Sequence, residues 1–209
     1  SAAFFIRQAV RLFRLFPVKR IYLDHNATTP LHPDVLKAML PVFEAGFGNP
    51  SSIHSFGRNA RVRIDEAREQ VANLIHAHPG EMVFTSGGTE SDNLAILGVA
   101  LALKGRGRHI ITGSIEHPAV LNPCKQLEKL DFNIDYIPVD RRGRIQVEAL
   151  REKISSETIL VSIQHANSEV GTLQDIATIG AVARERGILF HTDAVQSAGK
   201  IPMDVGVLP

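Results

Sequence analysis

Met82-Val83-Phe84-Thr85-Ser86-Gly87-Gly88-Thr89-Glu90-Ser91 is the stretch on which the reading of the fold turns. Its first four residues form a short, β-prone apolar run, and a helical pattern containing Leu94, Ala95, Ile96 and Leu97 follows at once. Between them, two glycines let the backbone turn tightly and approach a ligand. The helix N-terminus that comes next presents free N–H groups and partial positive charge, with the hydroxyls of Ser86, Thr89 and Ser91 as further donors, which makes a phosphate cradle. Glycine beside serine or threonine is also ordinary helix-capping chemistry. Further apolar, largely β-branched runs recur at residues 109–112, 134–139, 159–163 and 188–191, with helical stretches between them. Upstream, residues 33–45 and 58–77 have helical periodicity. Continuous apolar strands alternating with helices predict an α/β fold, a mainly parallel sheet with helices on both faces.

Composition bounds what such a chain does. At 209 residues and 44% hydrophobic content it can bury a core, which argues against intrinsic disorder. No apolar run approaches the roughly 18 residues that suggest a membrane-spanning helix. One cysteine, Cys124, forms no intrachain disulfide, which favours a reducing, cytoplasmic compartment. The net charge of +1 hides an asymmetry, because residues 1–20 carry five basic side chains and no acid, and the remaining 189 residues carry 18 basic and 22 acidic ones. The basic residues of the body are scattered among acids, so nucleic-acid binding is not expected.

Residues 1–20 form a separate basic, amphipathic extension if helical. Three readings stay open for it: a mitochondrial-type presequence, a membrane-surface or partner helix, or a stretch that is not native protein, with Val18 as an alternative start.

Ligands of parallel α/β sheets collect beyond the carboxyl ends of the strands. There the sequence places Ser86 to Ser91, Glu116-His117-Pro118, His165-Ala166-Asn167 and Thr192-Asp193-Ala194-Val195-Gln196 in turn. A phosphate cradle, an imidazole, an amide and a carboxylate thus share one rim. Each also has a plain reading: His117 as a strand end, Asn167 as a turn former, Asp193 as the N-cap of a helix starting there. Together they suit pyridoxal 5′-phosphate (PLP), which needs an anion cradle, a carboxylate for its pyridine nitrogen, a flat group against the ring, donors to its phenolic oxygen and a lysine. The rim offers all but the lysine. No metal ligand set is assigned.

The chain also resembles a family. Ile21-Tyr22-Leu23-Asp24-His25-Asn26-Ala27-Thr28-Thr29-Pro30, Gly48-Asn49-Pro50-Ser51-Ser52-Ile53-His54, residues 85–93, Glu116-His117, His165-Ala166-Asn167-Ser168-Glu169-Val170-Gly171 and His191-Thr192-Asp193-Ala194-Val195-Gln196-Ser197-Ala198-Gly199-Lys200 are similar, in unbroken order, to the class V aminotransferases. Within that family they come nearest to the NifS/IscS-type cysteine desulfurases. The resemblance covers residues 21–209 and implies a partial PLP-binding large domain of fold type I. It implies that Gly88 and Thr89 hold the cofactor phosphate, His117 stacks on the ring and moves protons, Asn167 and Gln196 contact the phenolic side, and Asp193 pairs with the pyridine nitrogen. The segment Asn26 to Thr29 would lie near the substrate entrance. The implied reaction takes sulfur from L-cysteine, leaving alanine and an enzyme persulfide that feeds Fe–S cluster assembly or thiolation. A homodimer and an Fe–S scaffold or other sulfur-acceptor protein are the implied partners.

Three parts of the family's machinery are expected elsewhere. The Schiff-base lysine, in a Ser-x-x-His-Lys stretch, would come on the order of ten residues past Pro209, with the persulfide cysteine and the substrate-carboxylate arginine further on. Lys200 coexists with that lysine in the family, and Cys124 reads as a buried structural cysteine. The family topology further implies that two missing strands separate residues 82–85 from 188–191, leaving open apolar edges and a phosphate loop untethered from Asp193. The chain alone is therefore expected to be poorly stable and inactive. It reads as the N-terminal part of a cysteine desulfurase or one half of a split enzyme; the alternatives are another class V enzyme such as a selenocysteine lyase, or a non-catalytic partner-binding module.

Overall fold

The structure, a computed structural model, describes residues 20–208 and divides the chain into two units, Ser1–Leu31 and His32–Pro209. Of the basic extension, residues 1–19 lie outside the described residues. In the first unit the Ala27 N–H donates to the Asp24 carbonyl at 3.2 Å, and the rings of Tyr22 and His25 meet edge to face at 5.1 Å.

The second unit holds α1 (Pro33–Ala45), α2 (Ser55–Leu74), a 3-10 turn (Pro79–Glu81), α3 (Gly88–Leu103), β1 (His109–Gly113), α4 (Pro118–Glu128), β2 (Asn133–Ile137), α5 (Val147–Lys153), β3 (Thr158–Ser162), α6 (Ile176–Glu185) and β4 (Leu189–His191). The four strands pair in parallel in the order β2-β1-β3-β4, with Ile111 opposite Asp135 on one side and Val161 on the other. Successive side chains of a strand point to opposite faces. Accordingly Ile110, Ile134 and Leu160 pack with Ile96 and Ala100 of α3 and Val120, Cys124 and Leu127 of α4, while Ile111, Ile137 and Val161 pack with Leu150 of α5 and Ile179, Val182 and Ala183 of α6. The sheet is thus covered on both faces, as the continuous apolar runs require.

Histidine starts four of these elements. The Nδ1 of His32, His54, His78 and His117 accepts a backbone N–H from the first turn of α1, α2, the 3-10 turn and α4 respectively, and three of the four precede a proline at the first helical position. Proline needs no partner for an N–H and presets φ, so the imidazole nitrogen supplies the acceptor the helix start still lacks. His117 is therefore a cap as well as a strand-end residue.

Residues 82–85 leave the 3-10 turn with Met82 extended and join no ladder among the described residues. The Arg68 guanidinium donates to the Met82 carbonyl and lies over the Phe84 ring at 5.0 Å, and this is what holds the segment; Val83 and Phe84 remain exposed. A run without strand neighbours matches the expectation for this stretch. The helix expected from Asp193 onward is instead a series of turns over residues 195–200. The Asp193 carboxylate accepts the Val195 N–H at 2.9 Å, which closes a side-chain turn there.

Candidate cofactor site

The strand ends bring the expected residues onto one rim in unequal ways. Helix α3 starts at Gly88 with extended Gly87 as its N-cap and no side-chain capping bond, so its first N–H groups and the positive end of its dipole are available to an anion. Glu90 folds back onto Ser86, whose hydroxyl first and backbone N–H second hold its carboxyl below the usual range, and the Thr85 and Ser91 hydroxyls meet at 2.7 Å. Thr89 is exposed beside this opening.

Gly88 reaches the Asp193 turn directly. A Cβ built on Gly88 would lie 2.8 Å from Val195 Cγ2, so only glycine permits this approach without movement. Below it, Asp92 of α3 and His191 of β4 approach to 3.6 Å, and the Ser162 hydroxyl meets His191 Nδ1 at 2.8 Å. The loop at residues 86–91 is therefore tied to the strand that carries Asp193 within this chain, which corrects the expectation that it would be untethered. The physical reason is that α3 meets β4 directly through side chains, buried Asp92 against half-buried His191, rather than through intervening strands. We expect Gly88→Ala to cost about 1 kcal/mol through overpacking; combining it with Val195→Ala should recover most of that loss in urea titrations.

Asn167 is buried and largely committed. Its Oδ1 accepts the Glu169 and Val170 N–H groups at 2.9 Å, and its Nδ2 donates to the Ile115 carbonyl at 3.1 Å and more loosely to Gln164 Oε1 at 3.5 Å. The turn-forming reading of this residue is thus present in the structure. The Lys200 ammonium donates to Gln196 Oε1 at 3.3 Å. His165 donates its backbone N–H to the Asp193 carbonyl at 2.9 Å, which continues the β3–β4 ladder to the carboxylate.

Two side chains that sequence reasoning left without a role shape the rim. Glu116, 5% exposed, accepts the Gln164 N–H on both carboxylate oxygens at 2.9 and 3.0 Å. The amide of Gln164 in turn donates to the Ile115 carbonyl at 2.8 Å, so the loop carrying His117 is latched to the loop carrying Asn167. A Cβ on Gly113 would fall 2.5 Å from Glu116 Oε1, so the carboxyl needs that glycine. The sequence signal was a glutamate four positions past the end of the apolar run 109–112. Asp92 is the other, and its signal was its spacing: with Ile96 and Ala100 it forms the buried stripe of α3.

Burial sets the protonation of this cluster. It pushes Asp92 up to about 7, with Asp193 adding repulsion, and Glu116 up to about 8 against the lowering effect of the Gln164 bond. It pushes the His191 and His165 imidazoles down. Cys124 is fully buried and its thiol is pushed up to about 12, so it is no source of thiolate. The folded state keeps protons on Asp92 and Glu116 that the unfolded chain releases around 3.8 and 4.5, so these groups lower stability as pH rises from there toward 8. His191 acts oppositely, but only below its ordinary 6.5. The urea midpoint is therefore expected to fall between about pH 6.5 and about pH 8.

The rim suits PLP in part. An uncapped helix start can take the phosphate, and the Asp193 carboxylate can hold a protonated pyridine nitrogen. Among the described residues the Thr192 hydroxyl and His165 Nδ1 are buried polar atoms with no hydrogen-bond partner, as expected beside a polar ligand. The only lysine beside these residues among those described is Lys200, exposed and bonded to Gln196.

Comparison with known proteins agrees with this parallel sheet and its strand-end rim. The model of the family described as aminotransferase class-V matches residues 21–208, and the chain belongs to that family. Among its relatives, cysteine desulfurase IscS of Dictyoglomus turgidum is 53% identical over 190 residues, covering 91% of this chain and 48% of the relative. Cysteine desulfurase IscS of Methanosarcina thermophila is 50% identical over 187 residues, covering 90% and 46%. A solved NifS-like protein superposes with a TM-score of 0.88 at 41% identity over 90% of this chain and 52% of that one. A structure described as SspA in complex with cysteine gives 0.87 at 42% identity over 90% and 55%. The chain thus spans about half the length of the relatives it matches. The class V cysteine desulfurases are PLP-dependent.

Proposed function

We propose that this chain supplies the phosphate-binding and ring-binding part of a PLP-dependent cysteine desulfurase. The observation that carries the reading is the packing of Gly88 on Val195, which sets an uncapped helix start beside the Asp193 carboxylate. Gly88 and Thr89 would hold the phosphate, Asp193 the pyridine nitrogen, Gln196 and the loosely held amide hydrogen of Asn167 the phenolic side. His117 would lie against the ring: its Nδ1 accepts the Ala119 N–H, so Nε2 is the atom left to carry or pass a proton. PLP, when bound, supplies an electron sink for bond cleavage at the amino acid. The lysine and the sulfur nucleophile come from outside the residues assigned here.

The same reading names L-cysteine as substrate, a homodimer as the assembly, and an Fe–S scaffold or other sulfur-acceptor protein as the recipient. The cytoplasm is its place, or the mitochondrion if residues 1–20 act as a presequence. No helix among the described residues is long and apolar enough to cross a membrane.

The test is sulfide and alanine release from L-cysteine with PLP, by the chain alone and with an added polypeptide carrying the remaining half of a class V desulfurase. Turnover only in the mixture, lost with Asp193→Ala, is the expected result. No turnover in the mixture despite formation of a complex would contradict the desulfurase reading and leave the binding-module one.

A further inference from the structure

Asp92 and His191 stand between the two halves of the rim. Asp92 is 4% exposed on α3, one turn past Gly88, and His191 ends β4 two residues before Asp193. Their side chains meet at 3.6 Å, and on its other nitrogen His191 meets the hydroxyl of fully buried Ser162 on the central strand β3 at 2.8 Å. Thr112 of β1 donates to the Ser162 carbonyl at 2.9 Å, which carries the chain of contacts into the middle of the sheet. A carboxyl group placed on the buried stripe of an otherwise apolar helix face gives up hydration, and its polar contact in this structure is that imidazole.

We propose that Asp92 and His191 are positioning residues: their buried contact holds the start of α3, and with it Gly87 and Gly88, against the strand end that carries Asp193. Nothing in the roles implied by the family resemblance assigns them this task. With Asp92 in its acid form, its O–H donates toward His191 Nε2 while Nδ1–H donates to Ser162 Oγ, and the chain of contacts is complete and uncharged. Ionised Asp92 can still accept Nε2–H from the other imidazole tautomer, with Ser162 O–H donating to Nδ1, but it is then a charge at 4% exposure that faces Asp193 from the turn after β4, with Glu116 of the loop after β1 still protonated, and opening the contact hydrates it. The contact therefore loosens as Asp92 loses its proton, and the anion cradle separates from the Asp193 carboxylate. This deepens the PLP reading and rests on it for its consequence, but the contact itself is testable without cofactor.

The experiment is hydrogen exchange with mass spectrometry on the whole chain at submicromolar concentration. It follows residues 86–91 and 192–196 against β1 and β2 as internal reference. Asp92→Ala is expected to speed exchange in both segments by roughly tenfold or more with the reference unchanged. Asp92→Asn keeps a donor at the same place and is expected to protect both segments as the native residue does in mildly acidic solution. Between about pH 6 and about pH 8 the native chain should gain exchange in these segments beyond the chemical rate, and Asp92→Asn should not. Unchanged protection in Asp92→Ala, a rise spread evenly over the sheet, or a pH response kept by Asp92→Asn would overturn the proposal. Should Asp92→Ala unfold the unit, the pH response of Asp92→Asn decides alone. Failure of PLP to bind would leave these exchange results standing, and failure of the exchange test would leave cofactor binding standing.

Discussion

At micromolar concentration the chain by itself is expected to self-associate, and a polypeptide carrying the other half of a class V desulfurase is expected to reverse this. Helix α1 buries none of its 13 residues, although Val35, Leu36, Met39, Leu40, Val42 and Phe43 lie on it. Val83 and Phe84 project from the segment that joins no sheet, and β4 is an open edge with Leu189 exposed. A large apolar side chain is worth about 1.5–3 kcal/mol when fully buried, so the exposed remainder of these nine is worth on the order of 1 kcal/mol each. That sum is comparable with the roughly 8 kcal/mol that corresponds to micromolar binding. The open edge adds unpaired backbone groups that another strand can take up. Sedimentation velocity would check this. Large species that disappear on adding the second polypeptide, and that diminish with Leu36→Lys and Leu40→Lys together, are the expected outcome; a clean monomer at tens of micromolar would contradict it.

Glu116→Ala is expected to cost about 3 kcal/mol of stability. It removes the acceptor of the Gln164 N–H, strands that donor in the interior and leaves a cavity under Gly113. Glu116→Gln keeps shape and one acceptor, and because burial already holds Glu116 protonated up to about 8, the amide resembles the native group near neutral pH. We expect the glutamine variant within about 1 kcal/mol of the native chain below pH 8. Urea unfolding of both variants at neutral pH measures the difference. Equal losses for alanine and glutamine would mean that charge, not hydrogen bonding, is what Glu116 contributes.

The parts of the fold that local chemistry dictates were open to reading from sequence. Apolar runs that fill both faces of a sheet predicted β1 to β4 to within a residue or two at their ends, and α1 starts and stops as its periodicity indicates, at Pro33 and Ala45. Residues 82–85 have strand chemistry, but pairing depends on neighbours that are distant in sequence, and only the topology implied by the resemblance anticipated that they would stand unpaired. The helix expected at Asp193 failed for a local reason, because an aspartate that can cap a helix can equally close a turn on its own chain. On the rim, glycines and charged residues at strand ends announced themselves. The contacts of Glu116, Asp92 and His191 did not, since what defines these residues is which backbone group or side chain they meet across the sheet. His117 and Asn167 turned out to serve the fold and the rim together, His117 as a helix cap and Asn167 as the bond between two loops.

The central functional claim is that the strand-end rim holds PLP by its phosphate at Gly88 and Thr89 and by its ring nitrogen at Asp193. Amide shifts of the chain titrated with PLP, and separately with pyridoxal, which lacks the phosphate, test it most directly. PLP should shift residues 87–89 and 193–196, pyridoxal should leave residues 87–89 in place, and Asp193→Asn should weaken both ligands. Shifts confined to other parts of the sheet, or identical responses to PLP and pyridoxal at Gly88 and Thr89, would contradict it.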